Sequence, residues 1–312
     1  METPTTLTRQ LAAVIPLLLL LLGPLCVAGW LLLRQRRRAR LERLSPLVRD
    51  LMRFPGQTLR DQIEQGRYDL AWEASMLVSL PSIVTAVLIT TFQFTGRPVP
   101  STMMALAVAG VVGYSILQTR KILALSRQLD QWRLGFDAEA AAGQDLDALM
   151  RQGAYVFHDV PGEKFNVDHV VVSPQGVFAV ETKGYRKPNN LDGGTARATV
   201  VFDGQRLQFP DWSSDKPLFQ AERQARWLSQ WLSNATGDVV RATPVLALPG
   251  WFIELKGRGP VRVFNNTQLK SLLQSRDTQR LESDQIVRIL HQLEQRCRNV
   301  KPTYGSLDEE QR

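Results

Sequence analysis

The stretch that decides the fold reads Asn166-Val167-Asp168-His169-Val170-Val171-Val172-Ser173, then Pro174-Gln175, then Gly176-Val177-Phe178-Ala179-Val180-Glu181-Thr182-Lys183. Two valine-rich runs flank a turn with Pro at its second position and Gly close behind. The spacing predicts an antiparallel hairpin. Residues i and i+2 on a strand share a face, so Glu181 and Lys183 point the same way. Asp168 begins the first strand, and the short turn sets it opposite the end of the second. An Asp, a Glu and a Lys then meet at one end of the hairpin, and apolar residues fill the rest.

Two carboxylates at one point repel each other unless a cation sits between them. Hard oxygen ligands with open positions suit Mg²⁺ or Mn²⁺. Such an ion binds a phosphate oxygen and makes a bound water more acidic. Lys183 is then placed to orient or deprotonate that water, or to neutralise a pentavalent phosphate. This is the chemistry of phosphodiester hydrolysis, with DNA or RNA as the partner. The plain alternative is an edge salt bridge between Asp168 and Lys183, because Glu-x-Lys arises by chance in many strands.

Working outward, residues 136–151 are Ala-rich and helical in pattern, with acids at 137, 139, 145 and 147. Strands are expected at Tyr155–Val160, Val167–Ser173, Val177–Lys183, Thr199–Phe202, Arg206–Phe209, Ala242–Leu248 and Val261–Phe264. Asp203-Gly204 marks a second hairpin. Helices are expected at Leu218–Leu232, Thr267–Leu273 and Asp284–Cys297. The order predicts an α/β domain of ~165 residues, large enough for one core.

The run from Gly135 to Lys183 resembles the nuclease-related domain (NERD) family, a branch of the PD-(D/E)xK nuclease superfamily. The resemblance is carried by Ala138-Glu139, Tyr155 to Val160, Val167-Asp168-His169-Val170-Val171-Val172, Pro174-x-Gly176-Val177-Phe178-Ala179-Val180 and Glu181-Thr182-Lys183. Lys216-Pro217-Leu218-Phe219-Gln220 looks like the family's Pro-x-x-Gln at the start of the next helix. The likeness covers roughly residues 135–298. It implies a nuclease-like mixed sheet flanked by helices, with Asp168 and Glu181 as ligands of Mg²⁺ or Mn²⁺ and Lys183 as catalytic lysine. It makes Glu139 an accessory acid and Gln220 a polar site residue. One departure is visible. The family usually shows Gly-Glu in the first helix, and here the pair is Ala138-Glu139, so the acid is kept and the local packing differs.

The first 120 residues are of another kind. Leu11–Leu33 is free of charge over 23 residues, about 34 Å as helix at ~1.5 Å per residue. Ala74–Gly96 and Pro98–Thr119 are two more such runs, the last pair reading as a helical hairpin turned at Arg97 and two prolines. This predicts a membrane anchor with three transmembrane helices, at about 11–33, 74–96 and 98–119. A cleaved signal peptide is the alternative for the first, but its apolar core exceeds the usual ~7–15 residues and an arginine block follows it. The 34–73 loop holds ten Arg and six acids. By the positive-inside rule it is cytoplasmic, which places everything after residue 120 in the cytoplasm of a multi-pass protein of the inner (plasma) membrane. No ionisable residue lies within a span, so the spans read as an anchor in lipid rather than a transport path. Ala105/Ala109 and Gly110/Gly113 offer small faces for a homo-oligomer, or simply face lipid.

Residues 121–134, with Ile122, Leu125, Leu129 and Trp132 at helical spacing, form a connecting helix. The nuclease-related domain then runs over 135–298, and 299–312 is expected to be a disordered tail.

The formal charge of the chain is +8, but residues 135–299 hold 20 basic and 19 acidic residues. The excess therefore lies beside the apolar runs. Signatures of P-loop hydrolysis, dinucleotide binding, zinc proteolysis and serine hydrolysis are missing, and two cysteines are too few for a disulfide framework. Neighbouring strand residues face opposite ways, so His169 diverges from Asp168. His158 and His291 show no metal-ligand spacing. Trp227 and Trp231 read as core rather than as a base-stacking platform. Arg186 and Lys187 either meet phosphates or form a solvated loop. The sequence thus predicts a membrane-anchored, metal-dependent nucleic-acid phosphodiesterase. The other reading is a catalytically inactive nucleic-acid-binding or membrane scaffold module on the same fold.

Overall fold

The computed structural model describes residues 30, 33–34, 47, 49–96, 98–188, 198–274 and 277–302. All of the apolar run at 11–33 except Trp30 and Leu33 lies outside these, as do residues 303–312 of the expected tail. The chain divides into two compact units. One takes residues 1–46, 64–129 and 304–312, and the other takes 47–63 and 130–303.

The first unit contains two long helices in part. Helix α1 runs Gln57–Thr95 and α2 runs Ser101–Asp147. Gly96, at φ +63, ends α1 in a left-handed conformation that only glycine adopts freely. Both helices are long and apolar enough to cross a membrane. Within the unit they run side by side: the Tyr114 hydroxyl donates to the Met76 carbonyl at 3.0 Å, the Gln118 amide donates to the Glu73 carbonyl at 3.1 Å, and Lys121 pairs with Glu73. Ser75, Ser79, Thr85 and Thr90 return their hydroxyls to the carbonyl one turn back, which pairs these groups inside the helix. Val78, Ile83, Val87, Leu106 and Val112 stand exposed. Gly110 and Gly113 meet nothing within 4 Å, so these small residues do not pack this hairpin.

Two boundaries differ from the sequence expectation. The expected basic loop 34–73 is already helix from Gln57, because nothing between Gln57 and Ala74 breaks a helix. The third span, the 121–134 connecting helix and the first domain helix are one uninterrupted α2, since no proline falls between Ser101 and Asp147.

The second unit is α/β. Its main sheet has the order β10-β8-β4-β3-β2, where β2 is Tyr155–Pro161, β3 Asn166–Ser173, β4 Gly176–Thr182, β8 Ala242–Ala247 and β10 Arg262–Phe264. The expected hairpin is β3–β4, antiparallel, with Ser173 opposite Gly176. β8 joins β4 in parallel after a crossover through α3 (Lys216–Thr236). Val170, Val172, Val177 and Ala179 pack on one face against Leu228 and Leu232 of α3 and Ile289 and Leu293 of α4 (Ser283–Cys297). Val171, Phe178 and Val180 pack on the other face against Ala142 and Leu146 of α2. A four-stranded sheet of order β7-β6-β5-β9 stands apart, with β5 at Thr199–Phe202, β6 at Leu207–Gln208, β7 at Ser213–Ser214 and β9 at Phe252–Leu255. The sequence reading had one mixed sheet and no β7 or β9.

Two further differences matter. The segment expected as a helix over Thr267–Leu273 is a 3-10 helix, Asn266–Gln274. Asn299 and Val300, expected in the tail, lie in β11 (Arg298–Val300), which pairs antiparallel with β1 (Leu51–Met52). The domain expected at 135–298 therefore borrows residues 47–63 from before the hairpin. Pro55 lies so close to Gly143 of α2 that a Cβ there would meet it at 2.5 Å.

Candidate nuclease site

The register of the main sheet builds the site. His158 pairs His169 and Val160 pairs Val167, so Asp159 lies opposite Asp168. His169 pairs Val180, so Glu181 follows opposite Asp168 on the other side. Three acids thus form one row across β2, β3 and β4. The Thr182 backbone N–H donates to Asp168 Oδ2 at 2.6 Å and holds that carboxylate at the strand ends. Lys183 Nζ lies 2.5 Å from Glu181 Oε1.

The structure places Glu139, Asp168, Glu181, Lys183 and Gln220 on the wall of one open cavity of about 480 Å³. Glu139 comes from α2, Gln220 from the first turns of α3. The Ala138-Glu139 departure has a local account. A Cβ on residue 184 would meet the Ala138 methyl at 2.9 Å and the Leu134 carbonyl at 2.6 Å, so glycine at 184 leaves room for alanine at 138.

Crowding sets the electrostatics. Glu181 is 1% exposed. Burial raises its pKa, and Lys183 opposes that. Burial, then Glu181, then Glu139 push Asp168 well above the usual carboxylate range, against the pull of the Thr182 N–H. Burial, then Asp159 and Glu181, lift Glu139 to about 8. For Lys183, burial works to lower the pKa, but Glu181 and Asp168 outweigh it and the ammonium is held above its ordinary value. A cluster of acids that cannot all ionise alone is a place where a cation is stabilising.

Several contributors escaped the sequence reading. Thr58, Leu59 and Gln62, from the start of α1, line the same cavity, as do Asp159 and Asn166. Asp159 has φ +49, an unusual conformation for a non-glycine residue. It is held there by Arg53, whose Nη2 approaches Oδ2 at 2.5 Å, by the Thr58 N–H and hydroxyl at 2.7 and 2.8 Å, and by the Asn166 amide at 2.8 Å. Gln224, one turn beyond Gln220, is 1% exposed, donates to the Asn166 carbonyl at 3.0 Å and stabilises the Glu181 carboxylate. Its signal in the sequence was a glutamine on the apolar face of α3.

The histidines are not as bland as the sequence suggested. His158 Nδ1 lies 2.9 Å from His169 Nδ1, and His158 Nε2 lies 3.0 Å from Asp147 Oδ1. If His158 donates to Asp147, its Nδ1 accepts from His169. His169 Nε2 is then a bare acceptor, in accord with its lack of any partner. This pair faces away from the cavity, as the strand alternation requires. Trp227 and Trp231 lie parallel at 5.8 Å, packed on the core and on Arg296.

With the fold and the cavity in view, the class is that of a nuclease-like α/β domain. Residues 134–249 match the family model described as NERD: Nuclease-related domain. The match spans β2 to β8 and takes in Glu139, Asp168, Glu181, Lys183 and Gln220. No curated protein and no solved structure matches the chain.

Proposed function

We propose that this protein is a membrane-anchored, metal-dependent nucleic-acid phosphodiesterase working at the cytoplasmic face. The observation that carries the reading is the convergence of Glu139, Asp168, Glu181 and Lys183 on one open cavity.

Asp168 and Glu181 suit Mg²⁺ or Mn²⁺. Their donors are hard oxygens, and neither Glu181 oxygen has a well-directed hydrogen bond although both are buried. Among the described residues no group of three or more His, Cys, Asp or Glu has metal-binding spacing. The chain would thus supply two carboxylates and leave the other positions to water and phosphate. Such an ion, when bound, polarises a phosphate oxygen and lowers the pKa of a coordinated water.

The rest of the work falls to the chain itself. The Thr182 N–H orients Asp168, and Gln224, held by the Asn166 carbonyl, favours the charged form of Glu181. Lys183, kept as ammonium by its two acids, donates to the phosphate and offsets charge that builds in the transition state. It serves as a cation and not as the base. Glu139, lifted to about 8, is able to carry a proton near neutral pH, and Gln220 offers a neutral donor from α3.

The anchor is supported by two helices of spanning length with apolar side chains turned outward and by the arginines before them. Reporter fusions after residues 73 and 130 should report inside, and one after residue 98 outside. A domain found outside would remove the placement.

The near-neutral balance of residues 135–299 favours the second reading, a binding or scaffold module without turnover. Full-length protein in detergent, given labelled DNA and RNA with Mg²⁺, Mn²⁺ or chelator, decides between them. Cleavage only with a divalent ion supports the enzyme, and binding without cleavage under any ion supports the module. The full chain is the proper sample, because residues 58, 59 and 62 belong to the cavity wall.

A further inference from the structure

Two residues beyond Lys183 the chain enters an aromatic cluster. Trp212 stacks on Phe209 with ring centroids 3.9 Å apart and planes 9° from parallel. Tyr185 meets Phe209 edge-on at 5.1 Å and Trp212 at 4.9 Å. Trp251 meets Phe209 edge-on at 5.1 Å, and its indole N–H donates to the Tyr185 carbonyl at 3.3 Å. Phe209 and Trp251 are buried, but Trp212 is 41% exposed. One indole face rests on Phe209 and an edge rests on Tyr185, so the area left open is the other face. The turn is closed by a Phe209 N–H to Trp212 carbonyl bond at 2.8 Å. A flat aromatic surface is therefore fixed in place before anything binds.

Its position connects it with the candidate site. Tyr185 follows Lys183 on one extended segment, about 7 Å along at ~3.3 Å per residue, and its hydroxyl feels the charges of Lys183 and Glu181. Gly184 alone lies between them, and the exposed pair Arg186 and Lys187 follows Tyr185, with the Lys187 ammonium 5.9 Å from the Trp251 ring centre. Along this segment a cation (Lys183), an aromatic residue with Trp212 packed beside it (Tyr185) and two further cations (Arg186, Lys187) thus follow one another. A phosphate chain with outward bases matches that order: cations take phosphates, and an aromatic face takes a base.

We propose that Trp212, backed by Phe209 and Tyr185, is a stacking platform for an unpaired base beside the scissile phosphate. The substrate is accordingly single-stranded nucleic acid or an unpaired end or gap. This rests on the nucleic-acid reading above and adds the strandedness. Bases inside a duplex keep their faces stacked on each other and have none to offer. The charge balance points the same way. A unit with 20 basic and 19 acidic residues over 135–299 has little excess charge for a long duplex footprint, so stacking has to carry more of the binding. Stacking also tolerates any base, so the platform selects strandedness and not sequence.

The test uses the full chain in detergent with chelator present, so that binding is read without cleavage. Fluorescence anisotropy follows one labelled oligonucleotide as a single strand and as a blunt duplex. Trp212→Leu keeps an apolar cover on Phe209 but has no aromatic face, whereas Trp212→Phe keeps one. Trp212→Leu should weaken single-strand binding by roughly 5- to 150-fold and leave duplex binding within about twofold, and Trp212→Phe should stay near wild type. Thermal unfolding of each variant shows that it is folded. Equal single-strand affinity of Trp212→Leu and wild type overturns the platform while leaving the nuclease reading intact. Equal losses on both substrates overturn the strandedness. Wild type that binds no nucleic acid overturns both the platform and the reading on which it stands.

Discussion

Two neighbouring rows of side chains on the same three strands meet burial in opposite ways. One row is Asp159, Asp168 and Glu181, which reaches a cavity. The next is His158, His169 and Val180, which lies against the α2 side of the sheet. In the first row burial pushes Asp168 and Glu181 up in pKa, Asp168 far beyond its usual range. In the second, burial and then His158 hold His169 well below the ordinary histidine value. In the closed row the two imidazoles bond to each other and to Asp147, and His169 Nε2 alone is left bare. In the open row Arg53 answers Asp159, but both Glu181 oxygens lack a well-directed hydrogen bond, and neutrality there has to come from outside or from Lys183. An unmet charge requirement beside an opening distinguishes a candidate site from a buried polar network.

The largest effect expected is at Lys183. If the open row is catalytic, Lys183→Ala should lower the cleavage rate ~10²–10³-fold, the usual cost of one preorganised donor at developing charge. Nucleic-acid affinity should hardly change, since one lysine is one of several ground-state phosphate contacts. Lys183→Arg should not restore the rate in full, because a guanidinium is larger and spreads its charge. A Lys183→Ala protein that cleaves like wild type would place the chemistry elsewhere. Asp168→Ala should abolish activity by another route, and titration calorimetry with Mn²⁺ reads it directly. Unchanged metal affinity removes Asp168 from the ligand set.

Next comes Arg53, which ties the segment before the hairpin to the site. It is 14% exposed and its partner Asp159 is 3% exposed. Removing one partner of a buried ion pair leaves the other uncompensated, which costs about 3 kcal/mol or somewhat more. Arg53→Met should therefore lower the denaturation midpoint of the full chain, and Arg53→Met with Asp159→Asn should recover most of the loss. Additive losses in the double variant would mean that the two side chains are not coupled.

This pair also shows where sequence reading stops. The β3–β4 hairpin was legible because valine runs, a Pro-Gln-Gly turn and terminal charges all agree locally. Asp168, Glu181 and Lys183 fall within sixteen residues, so strand alternation alone brings them together. Arg53 and Asp159 are 106 residues apart, and no local pattern connects them across an apolar hairpin. β1 is two residues long and β11 three, too short to leave a period. β7, also two residues long, failed for the same reason. Gln224 was legible in principle, as a polar side chain at a core position one turn beyond Gln220.

Glu139 gives a smaller effect with a defined sign. Its folded pKa of about 8 lies above the unfolded value near 4.5. Below pH 4.5 both states hold the proton and nothing is lost. As pH rises from there toward 8, the unfolded chain releases its proton while the folded chain resists, so stability falls. In chelator, Glu139→Gln should thus match wild type at pH 4 and exceed it at pH 8 by about 1–3 kcal/mol. Mg²⁺ should narrow the gap by stabilising the wild-type anion cluster. A gap constant from pH 4 to 8 would mean that Glu139 ionises freely.

The closed row supplies the smallest effect and the control for the rest. His169 has a folded pKa below the unfolded value of 6.5. Above pH 6.5 both states are neutral. Below it the unfolded chain takes up a proton that the folded chain refuses, so wild-type stability falls as the medium becomes acidic. His169→Phe removes that proton linkage and also the hydrogen bond to His158, worth about 1 kcal/mol. At pH 7.5 the variant should be less stable by about that amount. At pH 5 the gap should close or reverse, as read from urea unfolding at pH 5, 6.5 and 7.5. Cleavage at pH 7.5 should stay within about twofold of wild type, because the ring faces away from the cavity. A loss on the scale of Lys183→Ala would mean that the two rows are not separate, and that the histidine pair serves the site through the strand they share.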